Sequence, residues 1–212
     1  CFDIFFLLTL LMKKIILPKQ NLNPTFIGSW IMKPPSICDE LIDYFELNKN
    51  MQKKGVTTSG INLDFKDSMD ISIKPKDIRL PGNEVFEKYF DNLFSCYQEY
   101  VDEWPFLTSF ASDMQIGSFA LLRYEKGQHF QREHTERSSL STLHRLFAWM
   151  TYLNDVDIKD GGSTFFSHYD LDIQPRKGLT LIWPAEWTHA HKGNLLKKGS
   201  KYIISGWMHF PN

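Results

Sequence analysis

The pattern of apolar and turn residues changes after Pro105, and this change constrains the fold more than any other part of the sequence. Short apolar runs rich in β-branched and aromatic residues alternate there with turn residues such as Gly127, Asp160-Gly161-Gly162 and Gly199. Regularly spaced short strands with turn signals between them are typical of an antiparallel sandwich or barrel. Five strands are predicted: 116–124 (IGSFALLRY), 145–154 (RLFAWMTYLN), 162–168 (GSTFFSH), 178–183 (GLTLIW) and 201–210 (KYIISGWMHF).

Two helices are predicted before Pro105. Ser36 follows a Pro-Pro pair and is expected to cap the first helix, which continues with helical apolar spacing to Asn48. The second is expected from about Glu84 to Val101. Its predicted core face consists of Phe86, Tyr89, Phe90, Leu93, Phe94, Tyr97 and Val101. Helices followed by many short strands predict an α+β fold that is mainly β.

The chain is expected to form one domain over residues 12–212. It has 212 residues, which suits a single domain with a full core, and neither an internal repeat nor a low-complexity linker is visible. Residues 1–11 contain an apolar run that is too short to span a bilayer, and its charges follow the run instead of preceding it. We interpret 1–11 as an upstream translated or disordered segment outside the fold.

Charge and cysteine content narrow the class of protein. A net charge of -1 argues against broad binding to nucleic acid or to an anionic membrane surface. Cys1, Cys38 and Cys96 form no Cys-x-x-Cys motif, so they are expected to be free thiols in a reducing compartment. A cytoplasmic location without membrane attachment is therefore predicted.

A candidate metal site begins at His134-Thr135-Glu136. Residues i and i+2 of a strand face the same side, so one rigid edge is expected to present an imidazole and a carboxylate together. These are two of the three ligands of a 2-His-1-carboxylate site, which suits non-haem Fe(II). The stretch 183–193 (WPAEWTHAHKG) supplies His189 and His191 as alternatives for the third ligand. Lys201 opens an otherwise apolar run, so its ammonium is expected to point into a pocket and pair with a carboxylate.

These pieces occur in the order of a known family. Tyr124-x-x-Gly127, His134-Thr-Glu136, Arg145 with Tyr152-Leu153-Asn154, Gly161-Gly162-Ser-Thr164-x-Phe166, Pro175-x-x-Gly178, His191, Lys201 and Trp207 follow one another along residues 116–210. The sequence thus resembles the prolyl 4-hydroxylase-like branch of the 2-oxoglutarate- and Fe(II)-dependent dioxygenases. The resemblance implies a double-stranded β-helix (jelly roll) with the N-terminal helices packed on the outside.

The resemblance also implies roles for the matched residues. His134, Glu136 and His191 correspond to the iron ligands, and His191 is preferred over His189 because its spacing to Lys201 is the family's usual one. Lys201 corresponds to the residue that binds the distal carboxylate of 2-oxoglutarate. Tyr124 and Tyr152 correspond to donors of hydrogen bonds to that cosubstrate, with simple packing in an aromatic core as the open alternative for both. The implied cofactors are Fe(II), 2-oxoglutarate and O2, with ascorbate as a reductant. Arg145 is interpreted as a structural charge near the pocket, whereas His129, His144, His168 and His209 fit no ligand position.

The implied activity is hydroxylation of a C–H bond in a peptide or small-molecule substrate, with a peptidyl proline as the leading candidate and release of succinate and CO2. Glu136 stands where the family usually has Asp, which leaves a non-catalytic jelly-roll binding module with a degenerate metal site as the alternative. A zinc hydrolase would leave Lys201 unexplained. Substrate selection is assigned to residues 50–82 and 137–144. In the first segment, substrate contact and simple loop solvation are both open for Lys66, Asp67, Ser68 and Asp70.

Overall fold

A computed structural model describes residues 24–57, 60–111 and 113–210. The predictions for 1–11 and for Cys1 lie outside these ranges. The two helices are α1 (Ser36–Leu47) and α2 (Glu84–Glu103). The strands are β1 (Gly28–Ile31), β2 (Lys53–Lys54), β3 (Met69–Ile73), β4 (Gln115–Ile116), β5 (Phe119–Glu125), β6 (Phe130–His134), β7 (Arg145–Tyr152), β8 (Thr164–Phe166), β9 (Leu171–Ile173), β10 (Leu179–Pro184), β11 (His191–Gly193) and β12 (Ser200–His209).

The strands form two antiparallel sheets. The large sheet has the order β1-β10-β7-β12-β5-β3-β2, with β4 paired to the end of β12. The small sheet has the order β6-β11-β8-β9. At one edge the two sheets are joined by a bridge between Asp67 and His129, whose backbones exchange two hydrogen bonds of 2.9 and 3.2 Å. All five predicted strand regions contain strands, although the first is split into β4 and β5.

The large sheet separates two apolar clusters because successive side chains of a strand point to opposite faces. On β7, Phe147 and Trp149 pack towards the helices, whereas Ala148 and Met150 face the small sheet. On β12 the same alternation places Ile204 against the helices and Ile203 towards the small sheet. The helices therefore cover one face of the large sheet, and the interior between the two sheets is left for the functional site.

The helices begin and pack slightly differently from the sequence expectation. Ser36 is the first residue of α1 and makes no capping bond, because Pro35 already has helical angles (φ -66, ψ -14) and takes the N-cap position. On α2, Phe94 is 62% exposed, whereas Tyr100 is 1% exposed. The buried stripe follows the 3.6-residue period from Phe86 through Leu93 to Tyr100, which turns Phe94 to solvent.

Cys38 and Cys96 are buried free thiols, as predicted. Their burial raises the pKa of each thiol to about 11, which keeps both protonated and unreactive at neutral pH. Within the part of the chain that the structure describes, no helix has the length and apolar character needed to cross a bilayer.

Candidate metal centre and cosubstrate pocket

Two histidines of the small sheet form the rigid half of the site. His134 ends β6 and His191 begins β11, and the two residues are paired directly in the antiparallel register. The Nδ1 of His134 lies 2.9 Å from the backbone carbonyl of Arg132, and that of His191 lies 2.9 Å from the carbonyl of His189. Each Nδ1–H can thus donate to a carbonyl, which leaves the Nε2 lone pair of each ring directed inward as a metal ligand.

Glu136 completes a cluster with these two rings. One of its carboxylate oxygens, Oε1, lies 3.8 Å from the Nε2 of His134 and 3.4 Å from the Nε2 of His191. One ligand atom from each residue lies within 4.8 Å of the others. The expectation that a strand holds both His134 and Glu136 is correct for His134 alone, because β6 ends there and Glu136 lies in a bend. Other contacts must therefore fix the glutamate.

The protonation states of His134 and Glu136 favour binding of a metal cation. Burial, together with the neighbouring His191, lowers the pKa of His134 to about 4. Burial alone would raise the pKa of Glu136, but its contacts with the rings of His191 and His134 outweigh it and lower that pKa to about 2. At neutral pH the cluster offers a neutral imidazole and a carboxylate anion. Two imidazoles with one hard oxygen donor match the preference of non-haem Fe(II), so the residues fit this metal.

A cavity of about 550 Å³ lies between the two sheets, and the three clustered side chains line it. Lys201 lines it too, from the strand β12 that it was predicted to open. Its side chain is 3% exposed, its Nζ donates to the carbonyl of Gly162 at 2.8 Å, and the same Nζ lies 4.4 Å from the ring centroid of Tyr124. Burial lowers the pKa of Lys201 to about 7. No carboxylate of the described residues pairs with Lys201, so a ligand carboxylate fits here.

The two predicted tyrosines are placed differently. Tyr124 pairs with Lys201 across β5 and β12 and lines the cavity, and its burial raises the pKa of its hydroxyl. Tyr152 donates its hydroxyl to Thr164 Oγ1 at 2.6 Å and is not among the residues that line the cavity, although Thr164 is. Direct contact between Tyr152 and a cosubstrate stays a prediction.

His189 points away from the cluster. Its side chain is buried, and its Nε2 lies 2.8 Å from the backbone carbonyl of Thr25. Of the two histidines left open by the sequence, the structure therefore brings His191 to His134 and Glu136. The remaining histidines also lie outside the cluster, namely His129, His144, His168 and His209.

The segment assigned to substrate selection contains an ion pair at the cavity wall. Lys66 Nζ lies 2.6 Å from Asp70 Oδ2, both side chains are about nine-tenths buried, and both line the cavity. Ser68 donates to the other oxygen of Asp70 at 2.7 Å. Simple loop solvation is therefore wrong for these three residues. For Asp67 the structure shows a bridging role, because its backbone joins the two sheets at His129.

Sequence reasoning missed Phe130 as part of the site. Its ring stacks on His134 with centroids 3.9 Å apart and planes 15° apart. The signal was present, because Phe130 precedes His134 by an even number of residues on one strand and so shares its face.

Comparison with known proteins agrees with this geometry. The family model described as 2OG-Fe(II) oxygenase superfamily matches residues 119–209. A procollagen-lysine,2-oxoglutarate 5-dioxygenase 1 of Gallus gallus is 28% identical over 171 residues, which is 78% of this chain and 21% of the relative. The chain thus spans about a fifth of that relative's length.

Solved structures share the fold. A viral collagen prolyl hydroxylase from Paramecium Bursaria Chlorella virus-1, in complex with 2OG, has a TM-score of 0.63 and 18% identity, over 88% of this chain and 97% of its own. A Trichoplax adhaerens prolyl hydroxylase bound to a hypoxia inducible factor peptide has a TM-score of 0.68 and 15% identity, over 89% and 86%. A Pseudomonas putida prolyl-4-hydroxylase has a TM-score of 0.66 and 14% identity, over 88% and 93%. The predicted double-stranded β-helix is confirmed by the shared fold, and residues 119–209 of this chain are similar to the 2OG-Fe(II) oxygenase superfamily.

Proposed function

We propose that this protein is a dioxygenase of the prolyl 4-hydroxylase-like type, which hydroxylates a C–H bond of an amino-acid side chain in a peptide. His134, Glu136 and His191 would hold Fe(II), and Lys201 would bind 2-oxoglutarate. One observation carries the proposal above the others. Among the residues that the structure describes, no carboxylate pairs with the buried ammonium of Lys201, which shares a cavity with the His/Glu/His cluster. A metal-chelating dicarboxylate requires such groups at its two ends.

Binding of the cosubstrate would use residues of both sheets. Lys201 would form an ion pair with the distal carboxylate of 2-oxoglutarate, and low exposure makes such a pair strong once it forms. The carbonyl of Gly162 and the face of Tyr124 hold the ammonium in place before the ligand arrives. Thr164 lines the same cavity and is itself oriented by Tyr152. We propose that Tyr152 acts through Thr164 and Tyr124 acts at the ammonium.

When bound, Fe(II) with 2-oxoglutarate and O2 would supply the oxidant that converts R–H to R–OH, while 2-oxoglutarate becomes succinate and CO2. The protein's own contribution is geometry and exclusion of water. His134 and His191 are fixed by backbone carbonyls, and Phe130 stacks on the ring of His134. Lys201 stays neutral or charged according to pH until a carboxylate stabilises its ammonium. Ascorbate would serve as an external reductant.

The peptide substrate is proposed from the names of the relatives and from the cavity wall. One relative is named for procollagen lysine, and the similar structures are prolyl hydroxylases. One of these structures contains a bound peptide. The wall here contains the Lys66–Asp70 pair, which presents a donor and an acceptor side by side, as a peptide C=O and N–H would require. Val56 is 59% exposed and also lines the cavity, so the rim offers an apolar contact as well.

The test is hydroxylation of synthetic Gly-X-Y repeat peptides that carry Pro or Lys at the Y position, followed by mass spectrometry. We expect a mass gain of one oxygen on one residue type, with succinate formed in equal amount and only when Fe(II) and 2-oxoglutarate are present. Succinate without peptide hydroxylation would keep the dioxygenase and refute the collagen-like substrate. Absence of both succinate and metal binding would favour the non-catalytic binding module.

A further inference from the structure

Glu136 is held by groups from the opposite sheet. It lies in the bend after β6, so no strand pairing fixes it. Instead, the indole Nε1–H of Trp207 on β12 donates to its Oε2 at 2.7 Å. The other oxygen, Oε1, faces the Nε2 atoms of His134 and His191. The two carboxylate oxygens therefore have separate partners.

Arg145 on β7 strengthens this arrangement. The centre of its guanidinium lies 3.6 Å from the ring centroid of Trp207, which is a close stacking contact. Its Nη1 donates to the backbone carbonyl of Glu136 at 3.0 Å and lies 4.0 Å from Oε2. Arg145 thus fixes both the backbone of the glutamate and the indole that holds its side chain. We call Trp207 and Arg145 together the indole clamp.

The clamp has a consequence for the carboxylate. A glutamate has one more side-chain torsion than an aspartate, so more rotamer freedom is lost when its oxygen is fixed at a metal. An unconstrained glutamate can also turn both oxygens to a cation. Because Oε2 already accepts a hydrogen bond from Trp207, only Oε1 remains for the metal, and the side-chain torsions of Glu136 are fixed before the metal binds.

We propose that Trp207 and Arg145 are positioning residues that make Glu136 a one-oxygen metal ligand and so offset its extra methylene. This inference rests on the proposed metal site. It accounts for a glutamate at a position where a shorter carboxylate would leave Oε2 out of reach of the indole. The clamp also ties β7 and β12 of the large sheet to the ligand cluster on the small sheet.

The test is the affinity of the full chain for Co(II) alone, measured by isothermal titration without 2-oxoglutarate, together with the visible spectrum of the bound ion. Trp207→Phe keeps an aromatic ring but loses the N–H donor, and we expect it to weaken Co(II) binding about tenfold or more, the range typical of groups that orient metal ligands. Trp30→Phe is the matched control, since Trp30 Nε1 donates to Glu99 Oε2 at 2.8 Å away from the site. The control is expected to bind Co(II) as the unaltered protein does.

A double-mutant cycle separates the clamp from general packing. Glu136→Asp withdraws the carboxylate by about 1.5 Å, one C–C bond, which puts it beyond hydrogen-bond reach of the indole. In that background Trp207→Phe is expected to change the affinity less than twofold. An equal loss in both backgrounds, or no loss with Glu136 present, would overturn the clamp.

Arg145→Lys provides a second variant that keeps the charge but loses the planar stack. We expect an intermediate loss of Co(II) affinity and an altered visible spectrum, whereas a purely structural role would change neither. If the unaltered chain binds no Co(II), the proposed metal site fails and the clamp with it. If it binds Co(II) and all clamp variants bind equally well, the clamp alone is wrong.

Discussion

Lys201→Met should stabilise the protein without ligands while weakening cosubstrate binding. Burial lowers the pKa of Lys201 from 10.5 to about 7, because the folded interior disfavours the charged form. Since the folded pKa is the lower one, the penalty is absent above pH 10.5, grows as the pH falls towards 7 and is constant below that. The 3.5-unit difference corresponds to a maximum of about 5 kcal/mol. The carbonyl of Gly162 and the ring of Tyr124 compensate part of it, so this is an upper bound.

The assay is urea unfolding of the metal-free protein at two pH values. From the same pKa difference, Lys201→Met should raise the free energy of unfolding by up to about 5 kcal/mol at pH 6 and about 2 kcal/mol at pH 9. Methionine fills a similar volume without a charge, so packing is retained. Lys126→Met, at an exposed turn, is the control and should show no such pH dependence. Destabilisation by Lys201→Met at both pH values, or an equal gain at both, would refute the reasoning.

Three further predictions follow from the same cavity. Because Lys201 has a pKa of about 7 in the free protein, the protein must take up a proton when it binds 2-oxoglutarate above pH 7. The affinity for 2-oxoglutarate should therefore fall by up to about tenfold per pH unit. Calorimetry in buffers of different ionisation enthalpy would measure the proton uptake. His191→Gln should abolish Co(II) binding, whereas His189→Gln should leave the dissociation constant within about threefold, because the His189 ring is bonded to a backbone carbonyl outside the cluster. Gly162→Ala should destabilise the fold by more than about 1 kcal/mol in thermal unfolding, since φ is +74° and the added Cβ would lie 2.9 Å from a leucine methyl, while Gly199→Ala, with φ +76° and open space, should cost less.

The proximity of His134 and Glu136 and the burial of Lys201 could be predicted from local spacing, whereas the choice of His191 over His189 came from the resemblance to a known family. His134 and Glu136 are two residues apart, and Lys201 interrupts an apolar run at its first position. The strands themselves were visible from turn residues at their ends. These signals depend only on neighbours in the sequence.

The environment of Glu136 could not be predicted, because its partners lie on strands of the other sheet. Trp207 is 71 residues away, and neither its role nor that of Arg145 follows from local spacing. The burial of the Lys66–Asp70 pair is similar. The backbone of Gly55 packs against this pair so closely that an added Cβ would lie 3.0 Å from Lys66 and 3.2 Å from Asp70. The sequence of this polar segment alone predicts a solvated loop, because the cover provided by the Gly55 backbone is visible only in the structure.

The face of α2 shows a third kind of error. Phe94 was assigned to the core on apolarity, although the period of the helix places it one residue beyond the stripe that contains Leu93. Tyr100 was not included in the predicted core face, yet it is buried and its hydroxyl donates to the carbonyl of Phe26 at 2.8 Å. A buried tyrosine with a satisfied hydroxyl packs as well as a phenylalanine.

In the proposed site His134, Glu136 and His191 hold Fe(II), and 2-oxoglutarate binds between this metal and Lys201. Anaerobic titration of the Fe(II)-loaded protein with 2-oxoglutarate, followed by visible absorbance, tests it most directly. We expect a metal-to-ligand charge-transfer band that saturates at one equivalent, weakens in Lys201→Met and is absent in His191→Gln. A protein that binds Fe(II) but develops no band, or a band of unchanged affinity in Lys201→Met, would contradict it.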